Sequence, residues 1–139
     1  MLKVFLSLLL GLIMNQAVAA NLALENQLAD NPSPYLALHS TDPVAWQEWN
    51  EDILERAKAE KKLIFLSIGY FSCHWCHVMQ RESYKDKDAA QWLNKHFIPV
   101  KIDRELEEAL DARMISFAEK TQGRAGWPLN VFVTPEGYP

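Results

Sequence analysis

The sequence holds two cysteines, Cys73 and Cys76, with His74 and Trp75 between them and His77 directly after. Two thiols at this spacing can close on each other, bind a metal or carry a covalent haem, and what holds them decides which. If Cys73 ends a buried strand and opens a helix, its sulfur lies beside unpaired backbone N–H groups at the positive end of the helix dipole. That position favours thiolate over thiol. Cys76, one helical turn later on the same face and more deeply buried, would then attack a mixed disulfide formed at Cys73. In this reading Cys73 is the exposed nucleophile and Cys76 the resolver. A protonated His74 would support the Cys73 thiolate, and Trp75 would shield the sulfurs and offer an apolar docking surface. Such chemistry requires no cofactor and no metal. Its substrates are protein thiols and disulfides, and a redox partner recycles the pair.

The same residues admit other chemistry. Cys73 to His77 fits C-x-x-C-H, the attachment signature of c-type haem, with Met79 and Met114 as candidate axial ligands. A zinc or copper site could draw on Cys73, Cys76, His74 and His77, although structural zinc normally needs a second ligand pair and His39 and His96 stand alone. Either arrangement would make the chain a non-catalytic binding module. The thiols could also sense oxidants in a domain that recognises partners. A purely structural disulfide explains less, because a bridge between adjacent turns closes a very small loop and constrains the unfolded chain little.

The elements needed to position a redox pair are legible around it. Leu63-Ile64-Phe65-Leu66-Ser67-Ile68, ending at Gly69, is a near-continuous apolar run, too short for a helix and typical of a central strand buried on both faces. A helix is expected from the cysteines through about Ser83, and another from Asp86 to His96 carrying Ala89, Ala90, Trp92, Leu93 and, just beyond, Phe97. Ile98 to Asp103 reads as a strand, Glu105 to about Lys120 as a helix with Leu106, Leu110, Ile115 and Phe117 apolar, and Gly123 to Gly126 as a loop. Leu129 to Thr134 reads as a third strand, closed by the turn residues Pro135-Glu136-Gly137. Upstream, Pro32 and Pro34 break any helix, and Asp42-Pro43 has the chemistry of a helix start that would put Trp46 and Trp49 on one inward face. Asn50 reads as a second start, running to about Lys61. Strands alternating with helices predict an α/β domain, with a helical lead-in over residues 21–61 and the core over 62–139.

Composition bounds the function further. A chain of 139 residues, 49% apolar and 23% charged, is of a size and balance for one globular domain. Fourteen Lys and Arg against 18 Asp and Glu give a net charge of -4 without a basic run, which argues against nucleic acid or anionic lipid as a partner. Lys3, the apolar run Val4 to Met14 and Ala17-Val18-Ala19 follow the order of a signal peptide over residues 1–20, cleaved after Ala19 or Ala20. Its apolar run is short of the ~20 residues that span a bilayer, so no membrane span is expected after cleavage. The expected location is periplasmic or secreted, where disulfides form.

Taken together, Asn31-Pro32-Ser33-Pro34-Tyr35-Leu36, Asp42-Pro43-Val44-Ala45-Trp46, the run from Leu63 to Met79, Val100 to Glu105 and Gly126-Trp127-Pro128 resemble the thioredoxin-like N-terminal domain of the spermatogenesis-associated protein 20 family. The resemblance covers nearly all of the sequence after the signal. It implies a thioredoxin-like fold, a central mixed sheet flanked by helices, with Cys73 and Cys76 as the redox pair. It also implies that Pro128 is a cis-proline facing that pair and that the backbone at Trp127 and Pro128 binds an extended substrate segment as an added strand. Without it, Trp127-Pro128 reads as a turn leading into a strand. Larger members of the family continue into an α-helical domain resembling sugar-processing enzymes, and a full thioredoxin fold needs a further strand and helix after Thr134. The domain is therefore expected to be truncated at its C-terminus. Thioredoxins proper carry a buried acid on the central strand where this chain has Ser67, so deprotonation of Cys76 would use another group, Asp103 or His77, or proceed slowly.

Overall fold

The computed structural model describes residues 23–139, so the signal peptide expected over residues 1–20 lies outside the described residues. The apolar run forms β1, Ile64–Gly69, with all six residues buried. Strand β2, Ile98–Asp103, pairs parallel along one side of β1, and β3, Leu129–Val133, pairs antiparallel along the other. The sheet order is β2-β1-β3, a mixed sheet with β1 at its centre.

Side chains alternate across the sheet and divide the core in two. On one face Ile64, Leu66 and Ile68 join Val100, Ile102 and Val131 beneath Ile53 and Ala57 of the helix Glu51–Glu60 and Leu110 and Met114 of the helix Glu108–Gln122. On the other, Phe65 shares a second cluster with Leu28, Tyr35, Trp46, Tyr84 and both cysteines. Full burial of each large aliphatic side chain contributes about 1.5–3 kcal/mol. The register sets Ser67 opposite both Lys101 and Asn130, which places three polar side chains in a row on the second face.

Local sequence accounts for the helices. Short helix α1, Pro34–Ala37, opens at Ser33, whose hydroxyl accepts the Leu36 N–H. Helix α2, Glu51–Glu60, is capped by Asn50, has Glu51 and Asp52 in its first turn and ends at Lys61 in the left-handed region. Helix α3, His74–Met79, runs without a break into a π-helical turn, Gln80–Tyr84. Asp86 caps α4, Lys87–His96, and Gly123 terminates α5, Glu108–Gln122, at φ 72°. Among the described residues no helix is long and apolar enough to cross a membrane.

Two expected boundaries differ. No helix starts at Asp42-Pro43, because the Asp42 carboxylate turns inward and bonds the Trp46 indole, His39 and Gln80 instead of capping. Trp46 is consequently buried off any helix, and Gln47 forms a parallel bridge to Val100 that ties the lead-in to the outer side of β2. Helix α5 starts at Glu108 rather than Glu105. Asp103 holds the intervening turn, its carboxylate accepting from the Glu105 N–H and its carbonyl from those of Leu106 and Glu107, which leaves Leu106 exposed.

Candidate active site at the Cys73–Cys76 disulfide

Strand β1 ends at Gly69, a turn closes when the Cys73 N–H reaches the Tyr70 carbonyl, and α3 begins one residue later. Cys73 is the N-cap, and its Sγ accepts the Cys76 N–H at 3.2 Å. The two cysteines are joined in a disulfide with their Cα atoms 5.3 Å apart. Burial does not separate them as the sequence reading expected, for Cys73 is 4% and Cys76 1% exposed. What distinguishes Cys73 is its place at the helix end, where backbone N–H groups stabilise a thiolate. Exposed groups form a rim around this buried bond. Phe71 and Trp75 are exposed, and the His74 and Trp75 rings meet edge to face at 5.2 Å. His77 lies between rim and core, its Nε2 bonded to the Phe71 carbonyl at 2.6 Å. Asp103, the other group considered for taking a proton from Cys76, accepts the Ser33 hydroxyl at 2.6 Å.

Under the disulfide the packing allows no side chain on Gly69. A Cβ there would collide with the Tyr35 hydroxyl and stand 2.7 Å from Cys76 Sγ. Gly69→Ala is expected to cost about 1–3 kcal/mol, the usual range for overpacking a filled core, measured as a lower urea midpoint with an unchanged slope.

Beside it lies a polar cluster that the sequence reading missed. Ser67 Oγ sits 2.8 Å from the Tyr84 hydroxyl and accepts from Lys101 Nζ at 2.8 Å, while the Tyr84 hydroxyl donates to Asn130 Oδ1. Lys101 is buried, and its ammonium nitrogen stands 5.0, 5.5 and 5.2 Å from the ring centroids of Tyr35, Trp46 and Tyr84. The signal available in sequence was a lysine at an inward position of the apolar strand Ile98 to Asp103. Asp42 is a second buried centre, bonded to His39, Trp46, Gln80 and Lys85. Burial pushes its carboxyl up, but the bonds from His39, Gln80 and Lys85 outweigh this and hold it below the usual carboxylate range. Burial pulls Lys101 down to about 7, partly opposed by the Asp42 charge.

Between pH 7 and the ordinary lysine value of ~10.4 the unfolded chain holds a proton that the native protein has released, so stability rises with pH there. The expected slope approaches ~1.4 kcal/mol per pH unit at most. Urea unfolding from pH 7 to 10 checks it, and Lys101→Met should flatten that limb.

The Trp127–Pro128 peptide bond is cis. Trp127 is held by three groups: its indole N–H donates to Asp111 Oδ1 at 2.8 Å, the Arg104 guanidinium stacks 3.8 Å from its ring, and the Tyr70 ring meets it edge to face. Arg104 in turn pairs with Asp111 at 3.3 Å. This brace, also unread in the sequence, links Trp127 to the turn preceding Cys73. Pro128 lines a cleft of about 780 Å³ with Phe117, Leu129 and Phe132, and neither cysteine is in its lining. The two methionines considered as haem ligands lie in different cores, Met79 against the cysteine side and Met114 beneath the opposite face. Among the described residues no group of three or more His, Cys, Asp or Glu side chains is arranged to hold a metal.

Comparison with known proteins agrees with this architecture. Residues 25–139 match the Thioredox_DsbH family, described as a protein of unknown function, DUF255. The rat spermatogenesis-associated protein 20 is 41% identical over 114 residues, 82% of this chain and 14% of that protein. The uncharacterized protein B0495.5 of Caenorhabditis elegans is 41% identical over 115 residues, 83% of this chain and 16% of its own length. The chain thus spans about one-seventh of the length of these curated relatives. Among solved structures, a DsbH oxidoreductase superposes with a TM-score of 0.54 at 24% identity, covering 68% of this chain and 67% of its own. A protein from Bacteroides thetaiotaomicron, named as a candidate disulphide-isomerase, superposes with a TM-score of 0.53 at 28% identity, covering 70% and 76%. The fold is thioredoxin-like, with a disulfide pair at the start of the helix that follows the central strand.

Proposed function

We propose that this chain, which belongs to the Thioredox_DsbH family (protein of unknown function, DUF255), is a thiol-disulfide oxidoreductase that exchanges disulfides with protein cysteines. The observation that carries the reading is the position of the Cys73–Cys76 bond at the N-terminus of α3, directly after the central strand. A thiolate formed at Cys73 is stabilised there by the Cys76 N–H and the helix end, which suits it both to attack and to leave. Reduced Cys73 attacks a substrate disulfide, one substrate sulfur departs, and Cys76 then attacks Cys73 Sγ to release the other. The buried sulfurs are reached across the rim of Phe71, His74 and Trp75. His74 tunes Cys73, and Trp127 and Pro128, braced by Arg104 and Asp111, bind the substrate backbone. The name borne by the Bacteroides neighbour supports this class of chemistry. Work in the periplasm or outside the cell follows from the expected signal peptide.

The test is turnover. Protein lacking residues 1–20 should accelerate dithiol-dependent reduction of insulin disulfides, and no acceleration over the dithiol alone would overturn the reading. His74→Ala should make the Cys73–Cys76 disulfide a few-fold harder to reduce by glutathione, as expected when an exposed polar group beside a thiolate is removed.

A further inference from the structure

Tyr35 is fully buried, yet its hydroxyl has no hydrogen-bond partner among the described residues. Buried hydroxyls are nearly always partnered, and leaving one unpaired costs about 1–3 kcal/mol. This hydroxyl lies against Gly69 on the same side as Cys76 Sγ, and both would crowd a single Cβ at that position. A disulfide sulfur is a weak acceptor, whereas a thiolate is a strong one. Beneath the ring sits the Lys101 ammonium, 5.0 Å from its centroid, in a position to polarise the phenol.

We propose that Tyr35 and Lys101 form the buried receiving site for the Cys76 thiolate. The Tyr35 hydroxyl, orphaned while the disulfide is closed, donates to Cys76 Sγ once the bond opens, and Lys101, whose protonated form is favoured once a thiolate forms near it, supplies the compensating charge. The proposal rests on the redox reading of the pair. When an external thiolate bonds to Cys73 Sγ, the Cys73–Cys76 bond breaks and its electron pair leaves on Cys76 Sγ. Tyr35 loses no proton in that step, because its O–H bond stays intact. In reverse, the Cys76 thiolate attacks Cys73 Sγ and the substrate leaves as thiolate. Burial, with the charges of Asp103 and Asp42 and the neighbouring Tyr84, drives Tyr35 far above the ordinary phenol range, so it remains a donor at every working pH. The other titratable groups around the pair are His39 and Lys85, which flank Asp42. Neither His77 nor Asp103 is needed as a base. Tyr35 and Lys101 act on Cys76, not on substrate, and are positioning residues.

Tyr35→Phe separates this role from a structural one. The hydroxyl has no partner in the oxidised protein, so the variant should keep or exceed the wild-type unfolding midpoint when oxidised. Its equilibrium with glutathione at pH 7 should shift about tenfold toward the disulfide, since hydrogen bonds to charged groups contribute at least that much. In a Cys73→Ser background, the Cys76 thiolate absorbance should titrate at higher pH in both Tyr35→Phe and Lys101→Met. If Lys101→Met does not fold, Tyr35→Phe decides alone. An unchanged glutathione equilibrium, or a loss of oxidised-state stability in Tyr35→Phe, overturns the proposal. This equilibrium needs no protein substrate. Failure of insulin reduction with the shift intact would count against the proposed function alone.

Discussion

Cys76→Ser is expected to accumulate mixed disulfides with protein partners, whereas Cys73→Ser should trap almost none. With Cys76 absent, Cys73 can still attack, but no neighbouring thiolate releases the adduct. With Cys73 absent, the remaining thiol lies inside the helix, where no free backbone N–H groups favour a thiolate, rather than at its end. Both variants should lose insulin turnover to near the uncatalysed rate, a fall of at least ~10³-fold, as for other residues that act as one unit. Non-reducing gels and mass spectrometry of extracts from cells expressing each variant would show the adducts and name the partners. Adducts from Cys73→Ser but not Cys76→Ser would reverse the order of attack.

The largest stability effect is expected at Asp42. Its carboxylate accepts from His39 at 2.7 Å, from the Trp46 indole at 3.0 Å and from Gln80 at 2.9 Å, and pairs with Lys85 at 2.9 Å, all with no exposure of its own. Asp42→Ala removes one partner from each and leaves buried donors unpaired, which should cost about 3–5 kcal/mol. For a domain of this size that is a fall of about 10–20 °C in Tm. The same centre governs acid stability. Asp42 titrates below the ordinary carboxylate range, so its contribution is complete above the unfolded value of ~3.9 and is lost as pH falls through its lower folded value. Burial, only partly offset by the Asp42 bond, lowers His39, so the unfolded chain takes up a proton first as pH drops below ~6.5. Stability should therefore fall from there downward, and thermal melts from pH 7 to 4 check it. A change in Tm of less than a few degrees in Asp42→Ala would mean that the lead-in is not anchored through this carboxylate.

What could be read in the sequence was whatever local chemistry determines. The apolar run ending at Gly69 specified a buried strand by itself, and Asn50 and Asp86 cap their helices because their carbonyl or carboxylate oxygens reach N–H groups three residues on. Cys73 at a strand-to-helix junction followed from the same logic. Asp42-Pro43 misled because a capping aspartate and a buried hub look alike locally, and partners as distant in sequence as Gln80 and Lys85 decide between them. The depth of Cys73 was hidden for a related reason, since the packing of the second core closes over both sulfurs. Lys101 was visible as an inward-facing charge, but the three rings that enclose it come from separate parts of the chain. The approach of the Tyr35 hydroxyl to Cys76 exists only after β1 has brought Gly69 beside them both.

The central claim, that Cys73 and Cys76 are a working redox pair rather than a permanent crosslink, is tested most directly by equilibrating the purified protein with graded glutathione buffers. The fraction oxidised is then read by alkylation and mass. The expected result is one reversible two-electron transition between about -270 and -120 mV, the range spanned by catalytic pairs of this kind. A disulfide that stays closed below about -300 mV, the range of structural bridges, would contradict it.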